Sequence, residues 1–228
     1  MSAQRVIYLL SPVPREETVS LPMIRFETVA QSIDFSHCDT LMFTSKQAVV
    51  TADTIDKRWK TYDTIAIGSA TRAQIESLGG RVVYHPKSFY GEALSQDIAS
   101  YFAGRKILYL RPREVSFDSK GFLAEAGIAL GEQIIYETGC VTYAKEEAPS
   151  KNAIIIFTSP STIHCFLNSF EWDKSYTAIV IGETTKRYLP PQARYAVADE
   201  PLISSCIEKA KLLLKKEENY TLLTAISV

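Results

Sequence analysis

The chain is short of the residues that build metal centres and covalent frameworks. Its 228 residues include four cysteines and three histidines. Cys38, Cys140, Cys165 and Cys206 lie far apart, form no C-x-x-C pair and have no histidine at a metal-partner spacing. They read as reduced thiols, mostly buried, in a cytoplasmic protein. His37, His85 and His164 form no visible triad, and His164 beside Cys165 on a predicted helix points away from it. Excess charge is lacking too. A net charge of -1 argues against a general nucleic-acid binder, which is usually basic. No apolar run approaches the length of a membrane span. Met1 to Leu10 carries one arginine and a short apolar strand before Pro12 and Pro14, which is not a signal-peptide layout. Neither G-x-G-x-x-G nor G-x-x-x-x-G-K-[ST] occurs, so nucleotide binding through a phosphate loop ranks low.

What the chain does have is one plan written twice. Thr40 to Ala48 reads TLMFTSKQA, and Ile67-Gly68-Ser69-Ala70-Thr71 follows 25 residues after Phe43. Ile154 to Thr162 reads IIIFTSPST, and Ile181-Gly182-Glu183-Thr184-Thr185 follows 25 residues after Phe157. Phe43 and Phe157, Gly68 and Gly182, Thr71 and Thr185 all match at an offset of 114. Letters and internal spacing are preserved together, so one supersecondary unit occurs twice, in two domains. Each copy puts a hydroxyl-rich loop after an apolar strand. Two such rims can face each other across a cleft, and an interdomain cleft is where a ligand is expected.

The pattern along the chain alternates strands with helices, which predicts an α/β fold of two domains, each with a mainly parallel sheet flanked by helices. Strands are expected at Arg5 to Leu10, Met23 to Val29, Thr40 to Phe43, Thr64 to Ile67, Val82 to Tyr84, Lys106 to Leu110 and Gln133 to Tyr136. A second set covers Ala153 to Phe157, Ala178 to Ile181 and Tyr195 to Ala198. Helices are expected from Gln47, over Thr71 to Leu78, Glu92 to Phe102, Phe122 to Ala126, Thr162 to Phe170, Thr184 to Leu189 and Leu202 to Lys216. Pro12 to Pro22 reads as a loop. In parallel sheets ligands sit at the carboxyl ends of the strands, where both Thr-Ser loops and both glycine loops fall.

The ordered set Phe43-Thr44-Ser45, Ile67 to Thr71, Tyr109-Leu110-Arg111, Ile135 to Thr138, Phe157 to Ser161 and Ile181 to Thr185 resembles the uroporphyrinogen-III synthase family across nearly the whole chain. The resemblance implies a discontinuous first domain, 1–30 plus 142–228, and an inserted second domain, 31–141. A two-stranded β ladder near 23–30 and 135–142 would join them. It departs from the family where Pro112, Ser116 and Phe117 stand in place of a glycine and an Arg-Glu pair. Arg113 is the residue that would supply the basic contact there.

The implied activity is a lyase reaction without cofactor or metal. The linear tetrapyrrole hydroxymethylbilane closes to uroporphyrinogen III, its hydroxyl leaves and its last ring is inverted. Such a reaction asks mainly for positioning. Carboxylates of the substrate suit backbone N–H groups at loop ends, helped by hydroxyls and local cations. The expected substrate-binding residues are Thr44, Ser45, Lys46, Gly68, Thr71, Arg111, Arg113, Thr158, Ser159, Ser161, Gly182, Thr184 and Thr185. Tyr136 is the expected proton donor, since a phenol with a pKa of about 10 is protonated at neutral pH. The protein would act as a monomer, with no nucleic-acid or membrane partner. The competing reading is a non-catalytic two-domain module that binds an anionic small molecule.

Overall fold

A computed structural model describes residues 5–87 and 90–226, with side chains of the last helix described as far as residue 215. The elements fall into two units, 1–25 with 139–228 and 26–138. The first unit holds β1 (Ile7–Leu9), β2 (Val19–Ser20), β9 (Ile154–Phe157), β10 (Thr177–Val180) and β11 (Arg194–Val197), with helices α5 (Pro160–Ser169), α6 (Glu183–Lys186) and α7 (Ile203–Ile226). Its sheet runs β11-β10-β9-β1-β2, all parallel. The second unit holds β4 (Thr40–Phe43), β5 (Asp63–Ala66), β6 (Arg81–Tyr84) and β7 (Ile107–Pro112). Its helices are α1 (Lys46–Ile55), α2 (Ser69–Ser77), α3 (Gly91–Tyr101) and α4 (Ser119–Glu125). Two more strands, β3 (Ile24–Thr28) and β8 (Gly131–Cys140), complete the sheet order β3-β8-β7-β4-β5-β6. Among the described residues no helix is long and apolar enough to cross a membrane.

The inner strands are parallel and buried on both faces, so they read as unbroken apolar runs. Every residue of β9 is fully buried, as are Leu41, Met42 and Phe43 of β4. Helix starts follow from local chemistry. Ser45 accepts the Ala48 N–H at 3.0 Å, Asp118 that of Gly121 at 2.9 Å, and Ser159 that of Thr162 at 3.3 Å. Helix α2 stops where Gly79 adopts a φ of 88°, and the N–H of Gly80 closes back on the Ile75 carbonyl at 3.0 Å. Gly80 also lets the indole of Trp59 lie against the chain. A Cβ there would stand 2.4 Å from Trp59 Cζ3 and 2.8 Å from Ile75 Cγ2. Both neighbours are fully buried, so Gly80→Ala is expected to cost about 1–3 kcal/mol, read as a lower thermal midpoint.

The repeat is visible as register. Phe43 pairs with Ala66 and Phe157 with Val180, and Thr40 pairs with Asp63 as Ile154 does with Thr177. Each pair of partners is related by the same offset of 114 seen in the letters.

Several elements differ from their sequence expectation. β8 is one strand of ten residues, longer than the strand expected at Gln133 to Tyr136. The unit boundaries fall inside β3 and β8, at Arg25/Phe26 and Thr138/Gly139, because those strands run through them. The main-chain bonds Val29 N–H to Ile135 O (3.0 Å) and Val141 N–H to Met23 O (2.9 Å) make the pair antiparallel. Lys57–Thr61 forms a 3-10 turn that the charged letters hid, with Trp59 fully buried. Helix α6 is one turn long, cut short before Pro190-Pro191. Leu202 stays 38% exposed because α7 begins after it, while Cys206, Ile207 and Ala210 pack into a buried cluster. The thiol reading needs correction most. Cys140 and Cys165 form a disulfide with Cα atoms 5.2 Å apart, and Cys38 and Cys206 are free. Nothing in a 25-residue spacing announces such a pair, since β8 and α5 meet only through the tertiary fold.

Candidate active site

In the second unit, the loop after β4 is held by two phenols. Thr44 Oγ1 and the Tyr109 hydroxyl are 2.6 Å apart, and Ser45 Oγ and the Tyr136 hydroxyl 2.8 Å. β7 and β8 bring the two tyrosines there. Met42 pairs with Tyr109 along β4 and β7, and β8 lies on the far side of β7. Tyr109 is 3% exposed and Tyr136 4%. Burial pushes the Tyr109 phenol up to about 12, against an opposing hydrogen bond from Thr44. Burial likewise raises Tyr136, partly offset by its bond to Ser45. Both phenols are therefore neutral at physiological pH. Phe26 meets the Tyr136 ring edge to face, with centroids 5.8 Å apart.

The Tyr109 shift has a consequence for stability. Its phenol keeps its proton up to about 12 in the folded chain, whereas an unfolded tyrosine gives it up near 10.0. The unfolded state thus binds fewer protons between those values. The stabilisation is whole below pH 10 and is lost as the pH rises towards about 12. Denaturant midpoints measured across that range should fall, and Tyr109→Phe should flatten the fall.

Ser45 sits at a junction. Its Oγ accepts the Ala48 N–H at the start of α1 and also meets the Tyr136 hydroxyl. A hydroxyl oxygen has two acceptor sites and one proton to give. With Tyr136 donating to it, Ser45 keeps its own proton free to donate outward. Ser45 is half-buried, so it is the more accessible of the two. Lys46 is exposed at the first position of α1 and has no ion pair among the described residues.

The expected basic residues of this unit are already engaged. Arg111 lies within β7 rather than in the following loop. Its Nη1 donates to the carbonyls of Pro112 (2.8 Å) and Arg113 (2.9 Å). Its Nε lies 3.1 Å from Glu132 Oε1, off the hydrogen-bonding direction, and both side chains are 17% exposed. Arg113 Nε donates to Glu137 at 2.6 Å. The sequence offered no sign of Glu132, which β8 sets one strand away.

The first unit repeats the loop without the phenols. Ile156 pairs with Leu9 where Met42 pairs with Tyr109, so an aliphatic residue replaces the tyrosine. Thr158, Ser161 and Thr184 are half-buried, and their hydroxyls have no hydrogen bond among the described residues. Ser159 and Thr162 form a reciprocal cap, with Ser159 N–H donating to Thr162 Oγ1 at 3.3 Å. Thr162 was not among the expected residues, although its spacing from Ser159 is that of a capping box.

Gly68 and Gly182 both precede a helix with extended backbone, at φ 179° and -179°. That conformation suits any residue, so backbone angles require a glycine at neither position. A Cβ on Gly182 would meet nothing within 4 Å. Thr71 and Thr185 follow, 4% and 3% exposed, with no hydroxyl partner among the described residues. Both rims lie at the carboxyl ends of their own sheets, where open backbone and unpaired hydroxyls suit an anionic ligand. Among the described residues no three of His, Cys, Asp and Glu gather as a metal site would need.

Known proteins share the fold that carries these rims. The family model described as uroporphyrinogen-III synthase HemD matches residues 16–208. The chain belongs to the uroporphyrinogen-III synthase family. A solved structure of uroporphyrinogen-III synthetase from Helicobacter pylori 26695 is 26% identical, with a TM-score of 0.77, covering 92% of this chain and 99% of that one. A mutant uroporphyrinogen III synthase from the extremely thermophilic bacterium Thermus thermophilus shares the fold at 12% identity and a TM-score of 0.58, covering 93% and 99%. A search of curated protein sequences gives no match.

Proposed function

We propose that this chain is a uroporphyrinogen-III synthase, a lyase that closes hydroxymethylbilane to uroporphyrinogen III with inversion of the last pyrrole ring. Family membership over residues 16–208 carries the reading. The chemistry of the rims supports it. The substrate is a flexible chain bearing many carboxylates, and its electron-rich pyrroles supply the nucleophile. The protein has to hold that chain bent and help a hydroxyl depart. Thr158, Ser161, Thr184 and Thr185 of the first unit, with the open backbone at Gly182, are assigned to carboxylates. In the second unit Lys46, Thr71 and the backbone at Gly68 take the same role. Thr44 and Ser159 shape their loops, and Arg111 and Arg113 shape the segment after β7. Tyr136 and Ser45 together deliver the proton to the leaving hydroxyl. The same reading makes the protein a cytoplasmic monomer that needs no metal or cofactor.

The deciding experiment is turnover of enzymatically made hydroxymethylbilane, with type I and type III isomers separated. Formation of the type III isomer is expected. Tight binding of the bilane with spontaneous type I product alone would favour the non-catalytic module instead. Gly182→Ala separates binding from architecture. Its backbone angles and surroundings accept a methyl group, so the thermal midpoint should stay put. If a carboxylate approaches that backbone, the KM for the bilane rises severalfold. An unchanged KM removes Gly182 from the substrate site.

A further inference from the structure

We propose that Cys140 and Cys165 form a reversible thiol–disulfide site, opened by a dithiol reductant, that fastens the end of β8 to the middle of α5. Cys140 is the last residue of β8, directly after the chain enters the first unit at Gly139. Its carbonyl accepts a 2.7 Å bond from Arg25 Nη1, and the next residue, Val141, bonds to Met23. One side-chain and one main-chain bond thus tie this strand end to the segment Met23 to Arg25. The sulfur bond adds a covalent tie to a helix whose first turn carries Ser161 and Thr162, one turn before Cys165.

Both redox states fit the packing. A Cα separation of 5.2 Å lies in the normal range for bridged pairs, so closing needs no backbone movement. Opening leaves Cys165, 2% exposed, among Ile163, Phe166 and their neighbours, a setting that suits a free thiol as a small apolar side chain. The surrounding cluster already includes Phe157, Phe166 and Phe170, so the unit does not depend on a staple for its core. In the cytoplasmic setting proposed above, a disulfide is usually a redox-responsive device rather than a permanent brace.

The bond is approached from the Cys140 side. Cys140 is half-buried, and its Sγ lies 3.8 Å from the amide of the exposed Asn168. A thiolate of the reductant attacks Cys140 Sγ, the Cys140–Cys165 bond breaks, and Cys165 leaves as a thiolate that takes up a proton. The second thiol of the reductant then displaces Cys140, which is protonated in turn. Two electrons and two protons pass to the protein, and the reductant becomes a disulfide. The other two thiols are poor competitors. Cys206 is fully buried, which pushes its thiol up to about 12. Burial, with the nearby Asp39 and Asp34, also raises Cys38.

The test uses the full chain and does not depend on tetrapyrrole turnover, so it stands apart from the proposed activity. Protein treated with oxidised glutathione is alkylated in its native state and digested without reductant. A linked peptide pair containing Cys140 and Cys165 is expected. Native treatment with dithiothreitol should abolish it, with both thiols alkylated once the chain is unfolded in the alkylating agent, and renewed oxidation should restore it. Amide exchange over 139–143 should quicken on reduction. In the Cys140→Ser, Cys165→Ser double variant, exchange should be fast in either buffer. Free Cys140 and Cys165 after oxidation, a link that native dithiothreitol leaves intact, or exchange unaltered by reduction would each overturn the proposal.

Discussion

Tyr136→Phe should lower turnover by roughly 10- to 100-fold while leaving the fold in place. The substitution removes one oxygen from a residue that is 4% exposed and keeps the ring that meets Phe26. Ser45 Oγ retains the Ala48 N–H, so no buried donor is orphaned and the stability cost is about 1 kcal/mol. General acid help is typically worth about 10²- to 10⁴-fold, and water reaching the half-buried Ser45 can replace part of it. Ser45→Ala should lower turnover similarly, because in the proposed relay Ser45 presents the proton that Tyr136 replenishes. It also removes a helix cap, so its thermal midpoint falls by more. Two groups acting in one relay are not additive, so the double variant should be no slower than the worse single one. Full activity of Tyr136→Phe at an unchanged midpoint would make Tyr136 a packing residue. Additive losses would mean that Ser45 and Tyr136 work apart.

That pairing was beyond reach of the sequence for a physical reason. Ser45 and Tyr136 are 91 residues apart, and Thr44 and Tyr109 are 65 apart. Both meetings depend on the order in which β4, β7 and β8 lie, and no local pattern encodes strand order. The ion pair of Arg111 with Glu132 is hidden in the same way. A lone arginine after an apolar run looks free until the neighbouring strand is placed. The hydroxyl loops themselves were legible, because two copies at one offset carry the spacing of strand, loop and helix within a short window. Parallel strands added the rest, since they put every β-to-α loop of one sheet on one rim.

Local signals also account for which elements were read well. Gly79 and Gly127 take positive φ at the ends of α2 and α4, a demand that glycine answers and the letters therefore advertise. Gly68 and Gly182 carry no such demand, since both sit in extended backbone. The 3-10 turn at Lys57–Thr61 was missed because its charged residues line the outside of a turn whose single buried side chain is Trp59. Periodicity needs more than one inward residue to show itself.

Trp59→Ala should be among the most damaging single substitutions, and its damage should stay within one unit. The side chain is fully buried and packs edge to face on Phe43 at 5.6 Å. Its Nε1 donates to Asp53 at 3.1 Å, and Gly80 leaves room for the far edge of the indole. Truncating a buried aromatic of this kind costs about 3–5 kcal/mol, a large share of the roughly 5–15 kcal/mol that holds a domain folded. Asp53 keeps Lys60 at 2.7 Å, so the loss comes mainly from the cavity and not from a stranded carboxylate. The counterpart in the first unit is Phe166, fully buried and ringed by Phe157, Phe170, Trp172 and Tyr176 at 5.2–6.3 Å. Each of these residues belongs to a hydrophobic cluster drawn from its own unit. Hydrogen exchange should therefore show Trp59→Ala loosening β4 and β5 while β9 and β10 keep their protection, and Phe166→Ala doing the reverse. Loss of protection in all four strands from either substitution would mean that the units unfold together, and that the repeat divides the chain in sequence but not in stability.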